Sequence, residues 1–394
     1  MNWKILITLC IAIFFSMLGK GIVIPLLPVY AYELGAGSFL IGLIFGAYSL
    51  SMCIFFPYFG KQSDFRGRKP FIVWGLLSYA IVSAGLIISK DMYSLITIRF
   101  LQGITAAMIT PVAEAYAGQI TPKGKEGMIM GILGVAFVAG LGIGPLVGGV
   151  IKDHFGFATA FASVSFAALC GLILSIVFLP SVKNETVMPK NKPSVTYIKL
   201  LKDRNIKGIF IFRLSYTMCI GAVWAFAPLL ADTEFHLSGF NIGLIITAGV
   251  FVSAGLMIPM GNLADRFNKR LFFLIGGFIS VSAMLLFIFM QKTQDFYTVS
   301  ILLGLGDGIS MPAVMAMSVV LGREKQYMGT IMALLTMTEP MGLIIGPVLA
   351  GLALDQFGLA PTFSGAAFFM LSMTIFALFL TSGFHALEKK SEKI

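Results

Sequence analysis

Apolar runs of about 20 residues, the length needed to cross roughly 30 Å of hydrocarbon, recur along nearly the whole sequence and are broken only by short polar loops. Water cannot be the main solvent of such a chain, and the bilayer is part of its fold. Composition agrees: 58% of the 394 residues are hydrophobic and 12% charged, whereas a soluble domain carries about 25% charged residues. The runs predict twelve transmembrane helices at 4–30, 38–59, 71–89, 94–117, 127–151, 158–180, 206–230, 239–260, 271–290, 296–320, 328–353 and 362–383. The first run could imitate a signal peptide, but it continues to about Tyr30 without a small-residue cleavage site and reads as a retained helix.

The basic residues set the orientation. With the N-terminus inside, 22 of the 28 Lys and Arg fall in cytoplasmic loops or tails, three (Lys90, Lys152, Lys292) in outer loops, and three (Lys20, Arg99, Arg213) within helices. This bias predicts a multi-pass protein of the cell membrane with both termini cytoplasmic. It also accounts for the net charge of +10 without a nucleic-acid partner. Cys10, Cys53, Cys170 and Cys219 all lie in apolar runs, and His154, His236 and His385 in loops or the tail, so neither disulfides nor a metal site is expected. No Walker sequence occurs and no nucleophile is paired with a base, so neither ATP-driven work nor enzymatic activity is indicated, and no cofactor is expected.

The one long connection, 181–205, carries Lys183, Lys190, Lys192, Lys199, Lys202 and Arg204 and reads as a cytoplasmic linker. It divides the chain into a first bundle at 1–180 and a second at 206–383, with a cytoplasmic tail at 384–394. The halves repeat at an offset of about two hundred residues. Gly60 and Asp64 match Gly261 and Asp265; Gly140, Gly144-Pro145 and Gly149 match Gly342, Gly346-Pro347 and Gly351; Asp153-His-Phe-Gly156 matches Asp355-Gln-Phe-Gly358.

Three motifs add chemistry to this pattern. Gly60-Lys61-Gln62-Ser63-Asp64-Phe65-Arg66-Gly67-Arg68-Lys69-Pro70 joins the second and third spans, and Gly261 to Arg270, with Asp265-Arg266, is its second copy, with Asn268 in place of the second glycine. Arg99-Phe-Leu-Gln102-Gly103 opens the fourth span. Gly140-Leu-Gly-Ile-Gly144-Pro145-Leu-Val-Gly148-Gly149 lies in the fifth, where glycines four apart let another helix approach closely and proline permits a bend. On these residues the chain resembles the major facilitator superfamily over almost its whole length, and the fifth-span motif resembles that of its drug:proton antiporter branch. The first-span run Gly19-Lys20-Gly21 to Tyr30 resembles that branch too, but places Lys20 at a normally apolar position.

The resemblance implies an all-α membrane protein of two pseudo-symmetric six-helix bundles that rock about a mid-membrane site by alternating access. It implies a gating role for Gly60, Asp64, Arg66, Gly67, Arg68, Gly261, Asp265 and Arg266, with the aspartate held at a neighbouring helix N-terminus. It links Arg99 to proton transfer. The family often has an aspartate near the inner end of the fourth span, where Gln119 stands here, and Glu114 is the available substitute.

Six ionisable residues fall within the expected spans: Lys20, Arg99, Glu114, Arg213, Asp307 and Glu339. Asp307 and Glu339 lie nearest mid-depth. A carboxyl group in low dielectric is disfavoured as an anion, so it can take up and release a proton as its access changes. Proton coupling is therefore expected at Asp307 and Glu339, with Arg99 and Glu114 participating; a static salt bridge between Lys20 or Arg99 and one of these acids is the competing account. Lys20, Arg213, Tyr216, Trp224, Phe226 and Met311 are candidate substrate-cavity residues. Three acids balance three bases, so charge does not fix the substrate class.

The expected function is export of small hydrophobic or amphipathic compounds by a proton-coupled antiporter of the multidrug efflux type. The alternative is a major facilitator importer or flippase for an anionic metabolite or lipid. Expected partners are a small-molecule substrate, protons and the lipid bilayer, with the chain a monomer. A receptor or scaffold would be expected to bring a soluble signalling domain, and the tail after Thr381 is short and basic.

Overall fold

A computed structural model describes residues 3–36, 38–179, 195–233, 235, 239–290 and 292–384. The expected linker over 181–194 and the tail beyond 384, with Lys183, Lys190, Lys192, His236 and His385, lie outside the described residues. Among the described residues every element is helical and no strand occurs. The helices are α1 (Trp3–Glu33), α2 (Ser38–Arg66), α3 (Lys69–Ile88), α4 (Met92–Ala107), α5 (Thr110–Ile120), α6 (Glu126–Phe178), α7 (Tyr197–Leu200), α8 (Arg204–Thr233), α9 (Gly239–Arg266), α10 (Lys269–Leu286), α11 (Thr293–Lys325), α12 (Met328–Thr336), α13 (Thr338–Phe357) and α14 (Leu359–Leu380).

Eleven helical stretches among the described residues are long and apolar enough to cross a membrane. One of them, the 53 residues of α6, holds two spans that meet at Gly156, so the count reaches the expected twelve. The outer faces are apolar, as a lipid solvent requires: Trp74, Ile81, Phe166, Phe251 and Phe379 are all exposed.

Two spans are broken where proline removes a backbone donor. Pro111 has no N–H to offer the carbonyl of Ala107, and α4 ends at that residue. Pro340 likewise leaves the carbonyl of Thr336, the last residue of α12, without its donor. The expected fourth span is thus α4 with α5, and the eleventh is α12 with α13.

The internal repeat reappears in backbone conformation. Gly156 has φ 80° and ψ 174°, and Gly358 has φ 78° and ψ −175°. That region is open essentially only to glycine, and it turns the chain between the last two spans of each half. The turn before α6 uses Gly124 at φ 76°, and the turn before α12 uses Gln326 at φ 60°, which sits 202 residues later in the sequence.

The chain forms two compact units. The first comprises Met1–Thr121, Leu133–Pro193 and Lys325–Met337, and therefore includes α12. In it α2 packs along α4, α3 packs on α4, and α12 packs on α2 and α5. The second comprises Pro122–Ile132, Ser194–Glu324 and Thr338–Ile394, and includes the start of α6. In it α8 packs on α13 and α14, and α10 packs on α14. Each unit thus incorporates a short segment from the other half of the sequence.

Gly156→Ala and Gly358→Ala should each cost about 1–3 kcal/mol, because alanine is strained at these angles. Gly149→Ala, helical and with open space around a new Cβ, should be neutral or stabilising by up to about 1 kcal/mol. Thermal unfolding of the purified protein checks this, and equal effects at Gly156 and Gly149 would refute the assignment.

Candidate functional site

The two loop motifs build the same local structure. Gly60 on α2 crosses Gly329 on α12 so closely that a Cβ on Gly60 would lie 2.6 Å from the Gly329 carbonyl oxygen. This approach delivers the Asp64 carboxylate to the first turn of α12. It accepts from Gly329 N at 2.7 Å, from Thr330 N at 2.8 Å and from Thr330 Oγ1 at 2.8 Å. In the second unit Gly261 meets Gly127 in the same way, and Asp265 accepts from Gly127 N at 2.7 Å and Met128 N at 2.9 Å, at the start of α6. Both carboxylates satisfy N–H groups that a helix start leaves without intrahelical partners, and both sit at the positive end of the helix dipole.

Six of the seven basic residues of the motifs divide into three roles. Arg68 bridges to Asp64 at 3.3 Å and Lys269 to Asp265 at 3.8 Å, each one helical turn on. The next residue closes the far end of the same unit: Lys69 Nζ donates to the carbonyls of Ile176 and Leu179 at the end of α6, and Arg270 donates to the carbonyls of Leu378 and Ser382 at the end of α14. Arg66 and Arg266 are exposed. Gly67 turns the chain at φ 83°, whereas Asn268 stays at φ −66° and uses its side chain to cap Arg270 N at 3.1 Å. The second copy therefore dispenses with glycine at this turn.

The fifth-span glycines line a tight contact with α1. Gly140 lies under Phe14 and Met17, Gly144 against Gly21, and Gly148 against Ile22; Gly149 faces open space. Pro145 lies within α6, whose helix continues through it. In the second unit Gly342 and Gly346 of α13 lie against Thr217 and Met218 of α8.

Two buried polar clusters remain. In the second unit Asp307 of α11 accepts from Ser253 Oγ of α9 at 2.5 Å, with the Tyr216 hydroxyl as a further hydrogen-bonding group and Arg213 and Glu339 within electrostatic reach. Arg213, 5% exposed, donates to Thr338 Oγ1 at 3.3 Å and to Met315 Sδ at 2.9 Å. Thr217 Oγ1 donates to the carbonyl of Thr338 at 2.8 Å, at the break before Glu339. Asp307, Met311 and Glu339 are half-buried. Trp224 is 45% exposed and Phe226 lies under Gly351, so neither joins Tyr216 in this cluster.

In the first unit Arg99 of α4 lies 4.1 Å above the Tyr48 ring of α2, and Lys20 of α1 stands 5.9 Å from the same ring. Gly103 permits this by bringing α4 against the Tyr48 carbonyl and Ser51. Arg99 NH1 donates to Gln102 Oε1 at 3.1 Å, and Gln102 Nε2 donates to Ser83 Oγ at 2.8 Å. Arg99 makes no ion pair among the described residues. Glu114 Oε2 accepts from Thr336 Oγ1 of α12 at 2.6 Å. Ser83, Tyr48, Ser253, Thr336 and Thr338 carry no signal in the sequence that separates them from ordinary helix packing.

Two repeated helical bundles, buried charge clusters and loop carboxylates holding helix starts define a secondary membrane transporter. The chain belongs to the major facilitator superfamily: that family's model matches residues 9–232 and 208–393. It is similar to an uncharacterized MFS-type transporter of Methanocaldococcus jannaschii, 30% identical over 93% of this chain and 95% of that one. It is also similar to the multi-drug resistance efflux pump PmrA of Streptococcus pneumoniae, 30% identical over 86% of each chain, and to the multidrug resistance protein MdtG of Salmonella dublin, 25% identical over 95% of each. These names fit the drug:proton antiporter branch. The crystal structure of the human organic anion transporter MFSD10 (TETRAN) shares the fold, with a TM-score of 0.79 at 17% identity over 95% of this chain and 99% of that one.

Asp64→Asn should destabilise the protein by about 1.5–3 kcal/mol, the worth of hydrogen bonds to a charged group. Arg66→Gln, at an exposed position, should stay within about 0.5 kcal/mol of wild type. If unfolding midpoints show the two variants alike, the carboxylate does not hold the start of α12.

Proposed function

We propose that this transporter exports small hydrophobic or amphipathic compounds in exchange for protons, by alternating access of its two bundles in the cell membrane with both termini cytoplasmic. The observation that carries the reading is the cluster around Asp307, whose carboxyl group meets the hydroxyls of Ser253 and Tyr216 within the spans, with Glu339 and Arg213 in electrostatic reach. A carboxyl group placed there can exchange a proton with a change in access, and the hydroxyls can hydrogen-bond its charged or neutral form. Glu339 adjoins the α12–α13 break, so its protonation is positioned to bias the bend. The efflux-pump names of PmrA and MdtG support the export direction. Asp64 and Asp265 serve as inner latches, released when the helix starts they hold move away.

A second reading, uptake or flipping of an anionic metabolite or lipid, is favoured by one observation: Lys20 and Arg99 stand over a single tyrosine ring in the first unit. Inverted membrane vesicles loaded with a pH dye discriminate the two. Export predicts proton release on adding lipophilic compounds, amphipathic acids included, and the second reading predicts a response to polar anionic metabolites or lipids alone. Glu339→Gln and Asp307→Asn should each abolish proton movement, and unchanged coupling in both would refute their role.

A further inference from the structure

Arg99 is 2% exposed, yet no carboxylate among the described residues lies within ion-pair distance of it. A buried charge is costly unless it is paired. The Tyr48 ring offsets part of that cost through its quadrupole, as does Phe45, whose ring centre lies 5.7 Å away. A ring quadrupole does not supply a full counter-charge. The buried acids of the same unit are engaged elsewhere, Glu114 by Thr336 and Asp64 by Gly329 and Thr330.

Two donors at this place have no acceptor among the described residues: Arg99 Nε and the hydroxyl of Tyr79, which is 0% exposed. Tyr79 lies within electrostatic reach of Arg99, Lys20 and Tyr48. Lys20 is 8% exposed. Four helices, α1 to α4, therefore converge two cations and two unmatched donors, with Arg99 held in orientation by the Gln102–Ser83 chain. Such a set complements the oxygens of a monoanion, which take charge-assisted hydrogen bonds from guanidinium and hydroxyl. Phe45 and Phe137, each about 6 Å from one of the cations, offer apolar surface for the hydrocarbon body attached to that anion.

We propose that Lys20, Tyr48, Tyr79 and Arg99 form a subsite for the carboxylate or sulfonate of a transported amphipathic compound. The proposal rests on the transport reading and narrows its substrate class toward organic acids and zwitterions.

Binding to the full-length protein in lipid nanodiscs tests it, with 1-naphthaleneacetate against 1-naphthaleneacetamide, two probes of the same hydrocarbon body. The acid should bind about tenfold or more tightly than the amide, as expected for a charge-assisted contact. Arg99→Gln should remove that preference and Lys20→Met should reduce it. Equal binding of acid and amide by the wild-type protein overturns the proposal without recourse to any variant, and so does a preference that survives Arg99→Gln. Raising chloride from a low-salt buffer balanced with sucrose supplies the other arm: stabilisation by chloride with no preference for the acid means that a free halide fills the site, which also overturns it. Binding is read here without a proton gradient, so a failure of proton coupling in the vesicle assay leaves this result intact, and the converse holds.

Discussion

A carboxylate placed on the open N–H groups of a helix start is the interaction on which the other features of this fold converge. Both α6 and α12 begin directly after a left-handed turn, at Gly124 and Gln326, so their first donors have no preceding helix to meet them. Asp265 and Asp64 supply the acceptors. They can do so only because glycine faces glycine at each crossing, which brings the backbones close enough for a short side chain to reach. The residue five positions after each aspartate then anchors the terminal carbonyls of α6 or α14. One loop motif thereby ties together three helix ends, and its contact to α12 or α6 comes from the other half of the sequence. That is the physical reason each compact unit contains a borrowed segment.

The repeat is strict where geometry is demanding and loose where chemistry can substitute. Gly156 and Gly358 keep the same backbone angles because other side chains cannot adopt them. Gly67 and Asn268 differ because two solutions exist for the same turn, a left-handed residue or a side-chain cap. Glu126, at the start of α6, pairs with Arg323 at 2.7 Å; the residues 202 positions away from them, Met328 and Thr121, cannot form that pair.

The spans were legible in the sequence because length and hydropathy are set by the bilayer itself. The broken fourth and eleventh spans also carried a readable mark, since Pro111 and Pro340 each remove a definite donor. Partner choice was not legible: Asp64 takes Gly329 and Thr330, some 265 residues on, and no local pattern encodes that distance. Ser253, Thr338 and Tyr79 were invisible for another reason, because a small hydroxyl or tyrosine in an apolar helix looks the same whether it packs or serves a charge. Tyr216, Trp224 and Phe226 cannot share one helix face: at 3.6 residues per turn the latter two lie about 80° to either side of the first. Only Tyr216 turns toward Asp307.

The two units also differ in the surroundings they give their intramembrane charges. In the first, Arg99 and Lys20 stand among aromatic rings, and a guanidinium does not titrate in any physiological range. In the second, Asp307 stands among the hydroxyls of Ser253 and Tyr216, which can either donate or accept, so a proton can arrive or leave without orphaning a buried hydrogen-bonding group, and Glu339 lies within its electrostatic reach. On the proposed reading the first unit contributes a fixed positive charge and the second a variable negative one. Loading a proton then changes the net embedded charge in a single direction, toward positive, and discharging it restores the balance. On that reading the exported anion and the proton exchanged for it answer different groups, the anion the cations of the first unit and the proton the acids of the second, so that the two can be carried in alternate steps.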